Sequence, residues 1–429
     1  MVVVKINRKK ENIMKNIIRV LNVLVLCFSV QVWAEYVHLT WEDDPKTTMT
    51  VNWQDSKQVE GKVKYGLEKE SLEKEAAVRV EKVKDIEVLR GQMIEISNEI
   101  FKRDVKTEKG SINVYKAKLT DLKPGTKYYY LIESEGKDIN SFTTAPEGKE
   151  NFTFIAGGDG GGSKTTAELL KVAARFRPKF FIYAGDMVGG AAATAGSWNA
   201  AFKSFLPYSL SMPIMPTPGN HDSDDDLEFT NYQARFALPQ KSGSVFNYSF
   251  DYGNCHFAST LASGTSFSDE RLTKTAAWLE EDLRAADPAK FKIVFAHTPV
   301  LSSGWHAGSD KVKDLFAPIF DKYRVDLYID GHDHGYERSK PVNFTKSAEA
   351  AQLSYKDGTC YLVSGGLGSQ FRQFAGSWST AKLIQADKNH YPPDRFYFIK
   401  IEVTEDKLNI QAIGKEGQVL DDFNIEKKN

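Results

Sequence analysis

Five times between residues 152 and 335, a mostly apolar run of a few residues gives way to a carboxylate, carboxamide or imidazole side chain, four times beside a glycine. Phe152 to Ala156 leads into Gly157-Gly158-Asp159-Gly160, and Phe181 to Ala184 into Gly185-Asp186. Met212 to Thr217 leads into Pro218-Gly219-Asn220-His221-Asp222, and Phe291 to Phe295 into Ala296-His297-Thr298-Pro299. Val325 to Ile329 leads into Asp330-Gly331-His332-Asp333-His334-Gly335. Short apolar runs closed by turn formers read as buried strands. Helical stripes lie between them: Leu169, Val172, Ala173 and Phe176 behind a capping-box pattern at Thr165-Thr166-Ala167-Glu168, then Leu272, Ala276, Leu279 and Leu283, then Val312 to Tyr323. This alternation predicts a layered α/β domain with parallel strands. Open α/β sheets bind ligands just beyond the carboxyl ends of their strands, so the five groups are expected to converge. Tyr361 to Ser364, Phe396 to Val403 and Leu408 to Ile413 read as strands without intervening helices that complete the sheets.

The preceding segment has a different period. His38 to Trp41 and Thr48 to Trp53 alternate polar and apolar side chains around the turn Asp43-Asp44-Pro45-Lys46, and Val114 to Leu119 and Tyr128 to Ile132 flank the turn Lys123-Pro124-Gly125-Thr126. Short strands with turns between them predict a small β-sandwich. From Leu67 to Gly110 charge dominates, and both a helical and a hairpin insertion fit. Thr143 to Gly148 has linker composition. The expected division is residues 1–34, 35–146 and 150–429.

Residues 1–34 carry six basic side chains against the single acid Glu11, followed by an apolar run from Ile17 to Val32 and the small residue Ala34. That is the pattern of a secretory signal, and the run is short of the roughly 20 apolar residues a membrane span needs. The expected location is therefore secreted or periplasmic, with no span after Ala34. Lys and Arg number 56 and Asp and Glu 57, a net charge of -1, so no global basic field points to nucleic acid as a partner. Beyond Cys27 only Cys255 and Cys360 remain, both in apolar runs and expected as buried thiols, which excludes a cysteine-rich zinc site. Gly162-Ser163-Lys164 has the wrong order for the end of a nucleotide phosphate loop.

Carboxylate and imidazole donors gathered at strand ends suit zinc, manganese or iron. Two such ions about 4 Å apart can acidify a bridging water and neutralise phosphoryl oxygens. In order, Asp-x-Gly (Asp159-Gly160-Gly161), Gly-Asp, Gly-Asn-His, a strand-terminal His and Gly-His-x-His resemble the calcineurin-like metallophosphoesterases. Gly331 to Ser339 is close to the purple acid phosphatase form, and Leu119 to Tyr130 resembles the tyrosine-bearing corner of fibronectin type III domains. The resemblance implies a four-layer α/β (α+β) sandwich behind an all-β, fibronectin type III-like domain. It implies two divalent or trivalent ions, with Asp159 and His334 on the first, Asp186 bridging, and Asn220, His297 and His332 on the second. His221 and His306 would be the catalytic histidines of the outer shell, acting on phosphoryl oxygens or the leaving group. The substrate would be a phosphate monoester, attacked in line by hydroxide held between the ions.

One departure stands out. Purple acid phosphatases carry an iron-binding tyrosine three residues after the bridging aspartate, and here that position is Gly189, so a colourless enzyme is expected. Two other functions fit the same residues: a phosphodiesterase acting on cyclic nucleotides or phospho-sugars, and a glycan- or protein-binding module with a vestigial metal site. Asp222, Asp224, Asp225, Asp226 and Glu228 read as a solvated acidic loop, and His38 and His256 as histidines packed on strands. Trp305, His390 and Tyr391 lie in loops able to rim a cleft.

Overall fold

The computed structural model describes residues 35–55, 61–96, 99–133, 138–190, 194–223, 229–240, 243–262, 268–345, 358–377, 379–384 and 395–427. The segment read as a secretory signal, residues 224–228, His390 and Tyr391 lie outside them. No helix among the described residues is long and apolar enough to cross a membrane.

The amino-terminal strands are β1 (Glu35–Thr40), β2 (Met49–Asp55), β3 (Val63–Gly66), β4 (Lys74–Ala76), β5 (Val78–Ile96), β6 (Glu99–Leu119), β7 (Lys127–Ile132) and β8 (Asn140–Thr143). They form two four-stranded sheets, in the orders β1-β2-β6-β5 and β4-β3-β7-β8. Alternation puts Leu39, Val51, Trp53, Tyr115, Ala117, Tyr128 and Tyr130 inside, with Trp53 and Tyr115 stacked at 5.3 Å. The Tyr128 hydroxyl accepts a bond from the Lys123 N–H at 3.0 Å, which closes the Lys-Pro-Gly-Thr corner. The charged stretch from Leu67 to Gly110 is a hairpin, not a helix. β5 and β6 pair from Val78↔Ala117 to Ile96↔Glu99 and run past β2, whose pairing with β6 ends at Asp55↔Asn113.

The second region contains β9 (Phe152–Gly157), α1 (Lys164–Ala173), β10 (Phe181–Ala184), α2 (Ala195–Phe205), β11 (Ile214–Thr217), α3 (Thr230–Arg235), β12 (Tyr248–Tyr252) and β13 (Cys255–Ser259). There follow α4 (Asp269–Ala285), β14 (Phe291–Phe295), α5 (Asp310–Tyr323), β15 (Leu327–Asp330), β16 (Tyr336–Ser339) and β17 (Cys360–Ser364). β18 (Thr380–Ile384), β19 (Tyr397–Val403), β20 (Lys407–Gly414) and β21 (Val419–Glu426) complete it. One sheet has the order β11-β10-β9-β19-β20-β21 and the other β12-β13-β14-β15-β17-β16-β18. β9, β10 and β11 are parallel in the first, and β13, β14, β15 and β17 in the second. The period of two assigns the layers. Phe291, Ile293 and Phe295 of β14 join the core between the sheets, while Val294 faces the cluster with Leu272, Leu279, Phe316 and Phe320 of α4 and α5. With α1 and α2 on the far side, this is the four-layer sandwich.

The first helix does not begin as the capping-box pattern suggests. Ser163 is its N-cap, its hydroxyl accepting from Thr166 N at 3.2 Å, and the Thr166 hydroxyl turns to the Gly160 carbonyl instead. The tight glycine turn before Ser163 starts the helix early, a geometry the capping pattern does not encode.

The two regions share one core. Trp41, fully buried just after β1, meets Phe180, Phe250 and Tyr252 at 5.5, 5.5 and 5.9 Å. His38 is not simply packed on its strand: its Nε2 lies 3.0 Å from the Arg235 carbonyl oxygen and its ring stacks on Phe202 at 4.6 Å. Cys255 and Cys360 are buried free thiols.

His256 is likewise more than a packed ring. Its Nδ1 and Nε2 lie 2.8 Å from Asp251 Oδ1 and Asp282 Oδ2, while Lys290 and Ser249 donate to the remaining oxygens of those carboxylates at 2.6 and 2.5 Å. Burial disfavours the imidazolium, but the two carboxylates outweigh it and raise the pKa from 6.5 to about 9. The folded-state value is the higher one, so this clamp contributes its full stability below pH 6.5 and loses it as pH rises through about 9. The melting temperature is expected to fall across that window, and to fall less in His256→Gln, which cannot titrate. Parallel profiles for the two proteins in a pH series of thermal melts would remove the clamp as the cause.

Candidate metal centre

The carboxyl ends of β9, β10 and β11 in one sheet face those of β14 and β15 in the other. The first sheet brings Asp159, Asp186 and Asn220; the second brings His297, His332 and His334. Ligand atoms of Asp159, Asp186 and His297 all lie within 4.8 Å of one another. His297 Nε2 is 3.4 Å from Asp186 Oδ2 and 3.1 Å from Asn220 Oδ1. His332 Nδ1 is 3.2 Å from His297 Nε2, and His334 Nε2 is 3.5 Å from Asp159 Oδ1. All six side chains named from the sequence therefore share one site.

Backbone geometry forces the convergence. Asp159, Asp186 and His332 all adopt left-handed backbone, with φ of 61, 54 and 68°. Such turns aim the side chain back across the strand end, and aspartate tolerates them better than most residues. Gly185, at φ 83°, packs directly under the His297 ring. At Gly219 a first side-chain carbon would lie 2.8 Å from Asp186 Cγ, so only glycine lets the two loops meet. Asp159 Oδ2 accepts from His332 N at 2.9 Å, and Asp186 Oδ1 from His221 N at 2.8 Å, which ties loop to loop.

Proton positions follow from the carbonyl partners. His297 Nδ1 lies 2.9 Å from the Ala184 oxygen and His334 Nδ1 3.1 Å from the Gln370 oxygen. A carbonyl cannot donate, so each Nδ1 carries the proton and each Nε2 faces the carboxylates, the usual arrangement of a metal-binding imidazole. Burial opposes charge on both His297 and Asp186, yet their mutual attraction wins, raising the imidazole and lowering the carboxyl. Burial, with His297 and His306 beside it, pushes His332 down to about 2. A cation pair fits this donor set of two carboxylates, one amide oxygen and three imidazoles. Asp159 Oδ1 is buried with no hydrogen-bond partner, as suits an oxygen that would ligate a cation.

The two outer histidines also lie here. His221 Nδ1 is 2.5 Å from the Gly190 oxygen, and its Nε2 is 3.9 Å from Asp186 Oδ2. The His306 ring packs against His332 at 4.2 Å, and its Nε2 accepts from Arg372 Nη1 at 2.9 Å. Tyr183 does not reach the centre: its hydroxyl accepts from Gly160 N at 3.0 Å beneath the first loop.

Asp222 corrects the sequence reading of a solvated run. It is fully buried, and its two oxygens accept from Val188 N at 3.0 Å and Gly219 N at 2.8 Å, which locks the Asp186 loop to the Asn220 loop. Its neighbours in an acidic stretch disguise it; its place directly after Gly-Asn-His was the available signal. Asp333 and Glu337 were also missed. Asp333 accepts from Ser302 Oγ at 2.5 Å and His306 N at 2.8 Å, and Glu337 Oε2 accepts from Ser303 N at 2.6 Å. Both carboxylates hold the 302–306 loop, Asp333 from between His332 and His334 in sequence and Glu337 from β16.

Residues 34–144 match the family model described as purple acid phosphatase, N-terminal domain, and residues 138–336 match calcineurin-like phosphoesterase. Purple acid phosphatase 21 of Arabidopsis thaliana is 30% identical over 254 residues, 56% of each chain. Purple acid phosphatase 23 of the same plant is 25% identical over 343 residues, 70% of this chain and 73% of that one. The chain spans about half to two thirds of the length of the first curated relatives it matches. In fold it is similar to the purple acid phosphatase PPD1 of yellow lupin (Lupinus luteus) seeds, with a TM-score of 0.71 and 18% identity, over 92% of this chain and 74% of that one.

Proposed function

The chain belongs to the calcineurin-like phosphoesterases, with a purple acid phosphatase N-terminal domain ahead of the phosphoesterase domain, and from that premise we propose that it is an exported, dinuclear-metal phosphate monoesterase. The observation that carries this is the meeting of Asp159, Asp186, Asn220, His297, His332 and His334 at one pair of facing strand ends. We assign residues 35–146 to the amino-terminal domain, 150–429 to the catalytic domain, and 1–34 to a secretory signal that would place the protein outside the cytoplasm.

Asp159 and His334 would hold one ion, Asn220, His297 and His332 the other, and Asp186 would stand between them. When bound, such a pair supplies a nucleophile at moderate pH and positive charge for the phosphoryl oxygens. The chain does the rest. The carbonyl bonds of His297 and His334 fix their tautomers, and Asp222 fixes the spacing of the Asp186 and Asn220 loops. His221 commits its Nδ1–H to Gly190, so it donates to the ester from Nε2 only when the ring carries both protons. It therefore acts as an acid on the leaving oxygen in the imidazolium form. His306, with Nε2 occupied by Arg372, keeps its proton on Nδ1.

The test is hydrolysis of a panel of phosphate monoesters and diesters after loading with zinc, manganese or iron. Monoester turnover that depends on metal is expected, with diesters slower. A faster diester reaction would replace monoesterase by phosphodiesterase, and glycan or protein binding without turnover would remove the enzyme. With iron bound, no visible phenolate band is expected, because Gly189 offers no side chain and the Tyr183 hydroxyl is buried under Gly160. A purple protein would overturn that expectation.

A further inference from the structure

The most exposed large apolar side chain among the described residues is Trp305, at 75%. Exposed tryptophans on loops are commonly mobile, but this loop is held from several sides. Ser302 and His306 are bonded to Asp333, and Ser303 to Glu337 through both its N–H, at 2.6 Å, and its hydroxyl, at 2.9 Å. Gly304 N donates to Ser302 Oγ at 3.0 Å, and the Ser303 carbonyl accepts from Ala375 N at 3.0 Å. An indole on so constrained a backbone is a fixed surface, and its ordering cost is met before anything binds.

Its position ties it to the metal centre. His332 packs on His306 at 4.2 Å, His306 bonds Arg372 at 2.9 Å, and the Arg372 guanidinium lies 5.9 Å from the centre of the Trp305 ring. Arg372 is itself anchored, its backbone N–H donating to the His334 carbonyl at 2.7 Å. A continuous path of contacts thus runs from a candidate metal ligand to an aromatic face at the rim, with a cation between. An ester substituent extending from the centre along this path would reach the indole.

Resting on the proposed phosphoesterase activity, we propose that Trp305 and Arg372 form the leaving-group subsite and select phosphate esters whose alcohol carries a planar ring. The ring stacks on the indole, and Arg372 reinforces that face through its cation–π contact while keeping His306 oriented. An aromatic pair of this kind corresponds to a preference of about fivefold to tenfold over a ring of the same size that cannot stack.

The probes are benzylphosphonate and cyclohexylmethylphosphonate, which are not hydrolysed, and the corresponding phosphate esters, whose alcohols are of similar acidity. Calorimetry on the metal-loaded full chain is expected to show benzylphosphonate binding about fivefold to tenfold more tightly. Trp305→Ala should abolish the ratio, Trp305→Phe should keep most of it, and Arg372→Ala should reduce it. Trp305 is exposed, so its replacement leaves the fold intact. The esters should show the same ratio in KM. Equal affinities in the wild-type chain, or a ratio that survives Trp305→Ala, would overturn the subsite while both esters are still hydrolysed. Absence of hydrolysis of either ester with every metal would overturn the proposed activity, and the subsite with it.

Discussion

Asp186→Asn is expected to lower kcat for phosphate monoesters by roughly a thousandfold or more, the scale on which a preorganised electrostatic element of a site acts. It should also reduce bound metal below two ions per chain. Asparagine keeps the volume beside Gly219 and the Oδ1 that accepts from His221 N at 2.8 Å, so the loops stay in place. What it loses is the negative charge that faces His297, at 3.4 Å. Metal analysis, steady-state kinetics and circular dichroism on one preparation test this directly. A folded variant with full metal content and near-normal turnover would sink the dinuclear assignment.

Trp41→Ala is expected to cost about 3–5 kcal/mol of stability, the range for deleting a fully buried large aromatic side chain. The loss should have a particular form. Trp41 follows the first strand of the amino-terminal region, yet it packs on Phe180, just before β10 of one catalytic sheet, and on Phe250 and Tyr252 of the other. Removing it opens the seam between regions as well as the core beneath. Denaturant unfolding, followed by near-ultraviolet and far-ultraviolet signals, should shift to lower concentration and split into two transitions. A change under about 1 kcal/mol with one coincident transition would contradict the shared core.

The site was legible from sequence because its signal is local. Each candidate ligand sits within a few residues of the end of an apolar run, and all but His297 sit beside a glycine, so chain order alone identifies Asp159, Asp186, Asn220, His297, His332 and His334. The strands and helices around them were legible for the same reason: Leu272, Ala276, Leu279 and Leu283 show the helical period and are all buried. What sequence conceals is contact between distant segments. Nothing near Trp41 names Phe180 or Phe250, and nothing near His38 names the Arg235 carbonyl. The hairpin of β5 and β6 escaped because register shifts at Asp85/Ile86 and Leu89/Gln92 break the alternation by which strands are recognised. Asp222 was misread because composition alone does not single out a buried carboxylate within an acidic run.

Three of the assembled residues, Asp159, Asp186 and His332, occupy a backbone region that costs a side-chain-bearing residue roughly 1 kcal/mol or more. Selection for endurance and selection for turnover therefore pull these positions in opposite directions. Glycine at His332, whose side chain, unlike those of Asp159 and Asp186, accepts no backbone N–H from a facing loop, would relieve that cost and leave an idle protein, and a screen for heat resistance alone would drift toward such an inactive chain.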